Sequence, residues 1–273
     1  MSQRGMNCGQ PLSIIFYDSG LGGLNVIDLL GISAKKIKKI FVADNAVFPI
    51  GRFTEAQVRD RCISTLLPLQ SKYNADFIVI ACNTAATACL SEMRKLSPVP
   101  VYGVIPDLGP AVVRSHTKNI ALIATPSTLQ RDFIRKSIHE HRKHANVICH
   151  ASIGLVASSQ EKMLTGFISE SAIAHQMSSL MNNSAAQLID TVVLACTHFW
   201  AIRHEICRLL RLETSAVYDP AMAVADELLQ LLAPLPSVEP RDQPTPYLIL
   251  TGNHDRHRLE AAFHSRGYRI TEV

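Results

Sequence analysis

Two cysteines of this chain stand in matched surroundings. In FIVIACNT (Phe77–Thr84) and TVVLACTH (Thr191–His198) an apolar, strand-like run ends on Ala-Cys, and small polar residues able to hydrogen-bond a ligand follow. A single cysteine is ordinarily a small buried hydrophobe, and Cys8, Cys62, Cys89, Cys149 and Cys207 read that way. The repeated context singles out Cys82 and Cys196 for chemistry. A free thiol ionises near about pH 8.5, so thiol and thiolate are both accessible with modest tuning. One such group can take a proton from carbon while a second, on the opposite face, delivers another to the planar carbanion, and the stereocentre inverts. Each thiol then needs an attendant to set its protonation. Asp18, at a glycine turn, and His198, two residues beyond Cys196, are the candidates. An aspartate in such a turn is otherwise only a cap, and imidazole earns its place because it can take or give a proton near neutrality.

Other motifs carry less. DSGLGGL (Asp18–Leu24) follows a strand-like run and opens a helix, but it lacks both G-x-G-x-x-G and G-K-[ST], so it makes no nucleotide site. Backbone amides at such a helix start can still hold a carboxylate. Pro49-Ile50-Gly51 is a second turn, where glycine permits close backbone approach. His139, His141, His144 and His150 crowd one basic stretch without structural-zinc spacing and read as a solvated helix surface.

Positioning these residues falls to short apolar runs at 13–17, 40–42, 77–81, 101–104, 120–123, 147–149 and 192–194, with helical patterns between most of them. The stretch 54–72 opens on Thr54 with Gln57 three residues on, a pair that satisfies two exposed amides reciprocally. Such alternation predicts an α/β fold of mainly parallel, buried strands. Upstream of each cysteine a strand enters a small polar turn, Asp18-Ser19-Gly20 in one case and Thr125-Pro126-Ser127-Thr128 in the other. The expectation is two pseudo-symmetric α/β lobes, each delivering a cysteine at the carboxyl end of a strand, where open α/β sheets bind ligands. The site then lies in the cleft between them. Glycine and proline near 103–110, and Pro220 near 217–220, mark the two crossings. The first lobe is thus expected to take residues 11–105 plus 218–273, and the second 106–217. Beyond the proline-rich 234–246 segment, a strand-like run at 247–251 and a final helix return to the first lobe.

The 273 residues, 47% hydrophobic and 18% charged, suffice for one large domain or two of roughly 100–150 residues. A net charge of +4 is too small and scattered to call for nucleic acid or a membrane surface. The tight basic cluster Lys35, Lys36, Lys38 and Lys39 reads as a solvated edge leading into a strand. The first apolar run, 12–17, is short and breaks at Asp18, unlike an export signal. No run nears the ~18 apolar residues of a membrane span. Seven cysteines without a C-x-x-C pair fit reduced thiols in a cytoplasmic protein.

FYDSGLGGLNV, ADNAVFPIG, IACNTA, VYGVIP and LACTHF, in that order along nearly the whole chain, resemble the aspartate/glutamate racemase family, and more specifically its glutamate racemases. The resemblance implies Cys82 and Cys196 as the acid/base pair, with Asp18 beside the first and His198 beside the second. It also implies that Asp18 and Ser19, Ile50 and Gly51, Asn83 and Thr84, and Thr197 and His198 hold the charged ends of the amino acid. Family members use neither pyridoxal phosphate nor metal, and they supply D-glutamate for bacterial peptidoglycan. A homodimer stays open. The chain departs from the pattern with Ile50 where tyrosine is usual and with Phe199-Trp200 where Tyr-Pro is common. Many relatives also carry a glutamate close to Gln160 or Glu161. An aspartate racemase is the nearest alternative; a two-lobed protein that only captures an acidic ligand is the alternative from another class.

Overall fold

The computed structural model describes residues 11–236 and 239–272, so Cys8 lies outside the described residues. Its strands are, in chain order, β1 (Leu12–Asp18), β2 (Ile37–Ala43), β3 (Phe77–Ile80), β4 (Val101–Gly103) and β5 (Asn119–Ala124). They continue with β6 (Asn146–Ala151), β7 (Thr191–Ala195), β8 (Val217–Tyr218), β9 (Tyr247–Leu250) and β10 (Arg269–Glu272). The first α-helices are α1 (Leu24–Leu29), α2 (Glu55–Tyr73), α3 (Asn83–Leu96), α4 (Gly109–Arg114), α5 (Pro126–Leu129) and α6 (Asp132–His141). After them come α7 (Gly154–Thr165), α8 (Glu170–Met181), α9 (Arg203–Leu210), α10 (Ala221–Leu232) and α11 (Arg256–His264).

Two parallel sheets organise these elements. One has the order β10-β9-β2-β1-β3-β4 and the other β6-β5-β7-β8. A parallel sheet needs crossovers that cover both of its faces, and β1 shows the sequence consequence. Its LSIIFYD run is apolar at nearly every position and buried from Ser13 to Asp18. Ile14 and Phe16 face one core with Leu228 of α10 and Phe263 of α11, whereas Ile15 and Tyr17 face a second core with Leu66 of α2 and Met93 of α3. Each fully buried side chain of this size stabilises the fold by about 1.5–3 kcal/mol. Because Ala221, Val224 and Leu228 join the first of these cores, the chain returns to the larger sheet after leaving the smaller one.

Local signals set the helix ends. Thr54 and Gln57 form the reciprocal cap expected of them, with Gln57 Oε1 accepting the Thr54 N–H at 3.0 Å, and α2 stops at left-handed Asn74. Two surface readings need correction. The lysine cluster leads into β2, an interior strand, and its amines are partly tied down: Lys36 Nζ donates to Leu235 O at 2.8 Å and Lys39 Nζ to Ala34 O at 3.0 Å. The histidine stretch is not one helix surface either. His139 and His141 lie on α6, but His150 is buried on β6 with Nδ1 3.1 Å from Ser179 Oγ, and Cys149 beside it is exposed. The two-residue period of a strand sends neighbours to opposite faces. Among the described residues, no helix is long and apolar enough to cross a membrane.

Candidate active site

Parallel strands all end on the same edge of their sheet, and that edge is where the candidate residues gather. Asp18 closes β1; Cys82 follows β3, the neighbour of β1, as the N-cap of α3. Cys196 follows β7 as the N-cap of a 3-10 turn, Thr197–Ile202. Asp18, Ser19, Cys82, Asn83, Thr84, Cys196, Thr197 and His198 are all buried, as are Ile50 and Gly51.

Hydrogen bonds join the two edges. Asp18 Oδ1 accepts the Gly20 N–H at 2.8 Å, while its Oδ2 accepts the Thr197 hydroxyl at 2.9 Å from the other sheet. Thr84 Oγ1 lies 3.2 Å from Thr125 Oγ1 and 2.9 Å from Thr128 Oγ1, and those two are 2.9 Å apart, so three hydroxyls form a triangle across the cleft. His198 Nε2 lies 3.3 Å from the Gly22 N–H and 3.0 Å from Gln160 Oε1, which also accepts the Leu21 N–H at 3.0 Å. Such closeness needs glycine. A Cβ at Gly22 would sit 2.6 Å from Thr197 Oγ1, and one at Gly51 would sit 2.9 Å from Thr125 Cβ.

Asn83 donates Nδ2–H to Val104 O at 3.1 Å, and its Oδ1 is buried without a partner among the described residues. Ile50 packs into the same core as Tyr17 and Val58, leaving its backbone as the part able to meet a ligand. Phe199 likewise enters the core of the smaller sheet, whereas the Trp200 ring lies under the Arg203 guanidinium at 3.8 Å. Of the two residues left open in the sequence, Gln160 faces the site, while Glu161 turns outward onto Arg258. Gln160, Thr125 and Thr128 were not marked as site residues by the sequence. Thr125 and Thr128 did sit in the polar turn that mirrors Asp18-Ser19-Gly20, and that was the available signal.

Electrostatics tie the thiols together. Burial pushes the Cys82 thiol well up, the Asp18 carboxylate adds to the rise, an Ala85 backbone N–H opposes it, and Cys196 raises it again. Burial also pushes Cys196 up to about 12, with Asp18 adding and the His198 and Phe199 backbone N–H groups opposing. Each sulfur therefore sits at a helical N-terminus whose amides favour thiolate, in a pocket that otherwise favours thiol. His198 is held below the usual imidazole range by burial, with Asp18 pulling the other way. Its backbone serves Cys196, while its ring turns toward Gly22 and Gln160. Among the described residues, no group of three His, Cys, Asp or Glu side chains converges to hold a metal.

Known proteins share this architecture. The family profile of Asp/Glu/Hydantoin racemases matches residues 35–228. The chain belongs to that family and is an isomerase of the amino-acid racemase class. Within the family it is similar to glutamate racemases. It is 34% identical over 222 residues to the glutamate racemase of Aliivibrio fischeri, covering 81% of this chain and 82% of that one. Identity to the Actinobacillus pleuropneumoniae glutamate racemase is 30% over 221 residues, 81% of each chain. The fold matches the crystal structure of Escherichia coli glutamate racemase in complex with L-glutamate and the activator UDP-MurNAc-ala with a TM-score of 0.83, at 26% identity over 96% of this chain and 98% of that one.

Proposed function

We propose that the protein is a cofactor-independent glutamate racemase that interconverts L- and D-glutamate in the cytoplasm and supplies D-glutamate for peptidoglycan. The reaction runs in the cleft between a lobe of residues 11–105 plus 218–273 and a lobe of residues 106–217. Cys82 and Cys196 exchange protons with the α-carbon, and Asp18 and His198 attend them. The observation that carries this reading is that two strand-end cysteines, one from each sheet, are both buried at edges that Asp18 joins through its bond to Thr197, where its carboxylate disfavours ionisation of both thiols.

The chemistry follows from that shared effect. Two thiolates close enough to interact with each other and with a carboxylate repel, so the pair favours at most one ionised sulfur. A racemase needs that state: a thiolate to remove the α-proton and a thiol opposite to deliver one. The substrate's ammonium, placed by Asp18 and by the unpartnered Oδ1 of Asn83, offsets the carboxylate and makes the first thiolate easier to form. The Thr84 hydroxyl, the backbone at Ser19, Ile50 and Gly51, and Thr197 with His198 hold the carboxylates; the Thr84–Thr125–Thr128 triangle offers hydroxyl donors on the second lobe. Glutamate rather than aspartate is supported by the relatives at 30–34% identity.

Circular dichroism of L-glutamate and of L-aspartate with purified protein tests the substrate, and only the first should lose optical activity at an appreciable rate. Cys82→Ser and Cys196→Ser should each abolish complete racemisation with the fold intact, since a hydroxyl is nearly isosteric but a far poorer base. In deuterium oxide the delivering thiol has already exchanged with solvent, so the first D-glutamate from L-glutamate should carry deuterium at the α-carbon. Substantial unlabelled product at low conversion, or near wild-type turnover in either serine variant, overturns the two-thiol mechanism.

A further inference from the structure

Gln160 takes no part in the proton transfer proposed above, yet it lies at the centre of the contact between the lobes. It is 2% exposed on the inner side of α7. Its Oε1 joins Leu21 of one lobe to His198 of the other, at 3.0 Å in each case. The backbone donor fixes which way the amide points. Turned over, the amide would set an NH₂ against the Leu21 N–H, donor against donor. With oxygen thereby held against His198 Nε2, the ring can bond it only by carrying a proton on that nitrogen. The tautomer protonated on Nδ1 would instead accept from the Gly22 N–H at 3.3 Å and set a lone pair against Gln160 Oε1 at 3.0 Å. With Nε2 protonated the Gly22 N–H faces another donor, but at 3.3 Å that contact lies beyond the usual range for such bonds, and the shorter contact to Gln160 governs the choice. Gln160 Nε2 is buried without a partner among the described residues, a condition that structural amides rarely tolerate.

We propose that Gln160 is a positioning residue that locks His198 as the neutral Nε2–H tautomer and leaves Nδ1 as the nitrogen that can take a proton. An amide orients the ring without adding charge, so the imidazole stays uncharged until it accepts that proton. The groups around the ring are few. Asp18 at the end of β1 reaches His198 electrostatically, and Cys196 receives the His198 backbone N–H. On α7, Glu161 is engaged by Arg258 of α11 and Lys162 by Glu205 of α9. His254 stacks on Phe48, whose ring centroid lies 5.6 Å from that of His198. The kinetic consequence rests on the two-thiol reading; the tautomer does not.

The test is nitrogen NMR of protein labelled with ¹⁵N-histidine, with His198 assigned by its disappearance in His198→Asn. Wild-type protein should show a protonated Nε2, a bare Nδ1 and no titration between about pH 6 and 8. Gln160→Glu keeps the oxygen and the shape but adds charge, and should raise the His198 midpoint by about one pH unit or more, with one limb of the kcat profile moving in parallel. Gln160→Leu should give a mixture of tautomers. Wild-type protonation on Nδ1, or a His198 midpoint in Gln160→Glu no higher than in wild type, overturns the assignment. Neither spectrum needs turnover, so this outcome is separate from that of the deuterium experiment, and the wild-type spectrum decides even if a variant fails to fold.

Discussion

At Asp18 one carboxylate oxygen holds the Gly20 N–H and the other holds the Thr197 hydroxyl across the cleft, so the charge is fixed between the lobes rather than beside one thiol. The sequence resemblance paired Asp18 with Cys82 alone, but the carboxylate also raises Cys196. Asp18→Asn should therefore lower kcat in both reaction directions, by about 10²-fold or more if Asp18 assists proton transfer. It should also move thiol ionisation to lower pH, because a charge that opposed both thiolates is gone. Initial rates from pure L- and pure D-glutamate across a pH series check this, and a loss confined to one direction would reassign Asp18 to a single sulfur. The cysteines were legible in the sequence because an apolar run stopping at Ala-Cys twice is a pattern no ordinary core thiol requires. Gln160 and Thr128 were not, since an amide or a hydroxyl in a short helix looks the same whether it faces solvent, a cap or a cleft. Thr125 shows the ambiguity: its hydroxyl caps α5 by accepting the Thr128 N–H at 3.2 Å and also joins the triangle.

Strand-to-helix alternation made the α/β class readable, because buried parallel strands must be continuous apolar runs. β8 and β10 escaped for the opposite reason. Val217–Tyr218 is too short to show a period, and Arg269–Glu272 carries charge at both ends of an edge strand. What docks one element on the next is visible only in three dimensions, as at Asp190, just before β7. Partial burial would raise this carboxyl, but hydrogen bonds from the Ser115 hydroxyl, the Thr117 and His116 backbone N–H groups and the Thr191 hydroxyl outweigh it and hold it at about 2. A folded pKa depressed below its unfolded value near 3.9 gives stability that is fully present above that value and lost as pH falls toward about 2. The site is partly exposed, so solvent screening reduces its worth to about 1 kcal/mol. Urea unfolding should find Asp190→Asn less stable than wild type by about that amount at pH 7, with the gap closing toward pH 2. A gap that persists undiminished in acid would mean that the lost hydrogen-bond geometry, not the charge, matters.

At the scale of the whole molecule, two ion pairs among the described residues bridge the lobes beside the cleft: Glu55 with Arg131 at 3.1 Å, and Glu161 with Arg258 at 2.7 Å. They are not equivalent. The Arg131 side chain is 5% exposed and its Nε has no partner among the described residues, while Glu55 is 56% exposed. Glu55→Ala thus leaves a buried cation with the Ser127 hydroxyl, 3.0 Å from Arg131 Nη2, but without its carboxylate, and should cost about 1–2 kcal/mol, moderated by water reaching the vacated side. Arg258→Ala, at an exposed pair, should leave the unfolding midpoint where it was. Chemical denaturation of both variants checks the contrast, and equal effects would count against it. The hydroxyl triangle and the Asp18–Thr197 bond add a different consequence. The groups proposed to grip an amino acid already grip each other, so each lobe behaves as a tethered competitor present at high effective concentration. Any ligand is measured net of the partners it evicts. The expected result is modest affinity for both enantiomers, because the same self-pairing that resists entry also helps expel whichever mirror image has just been made.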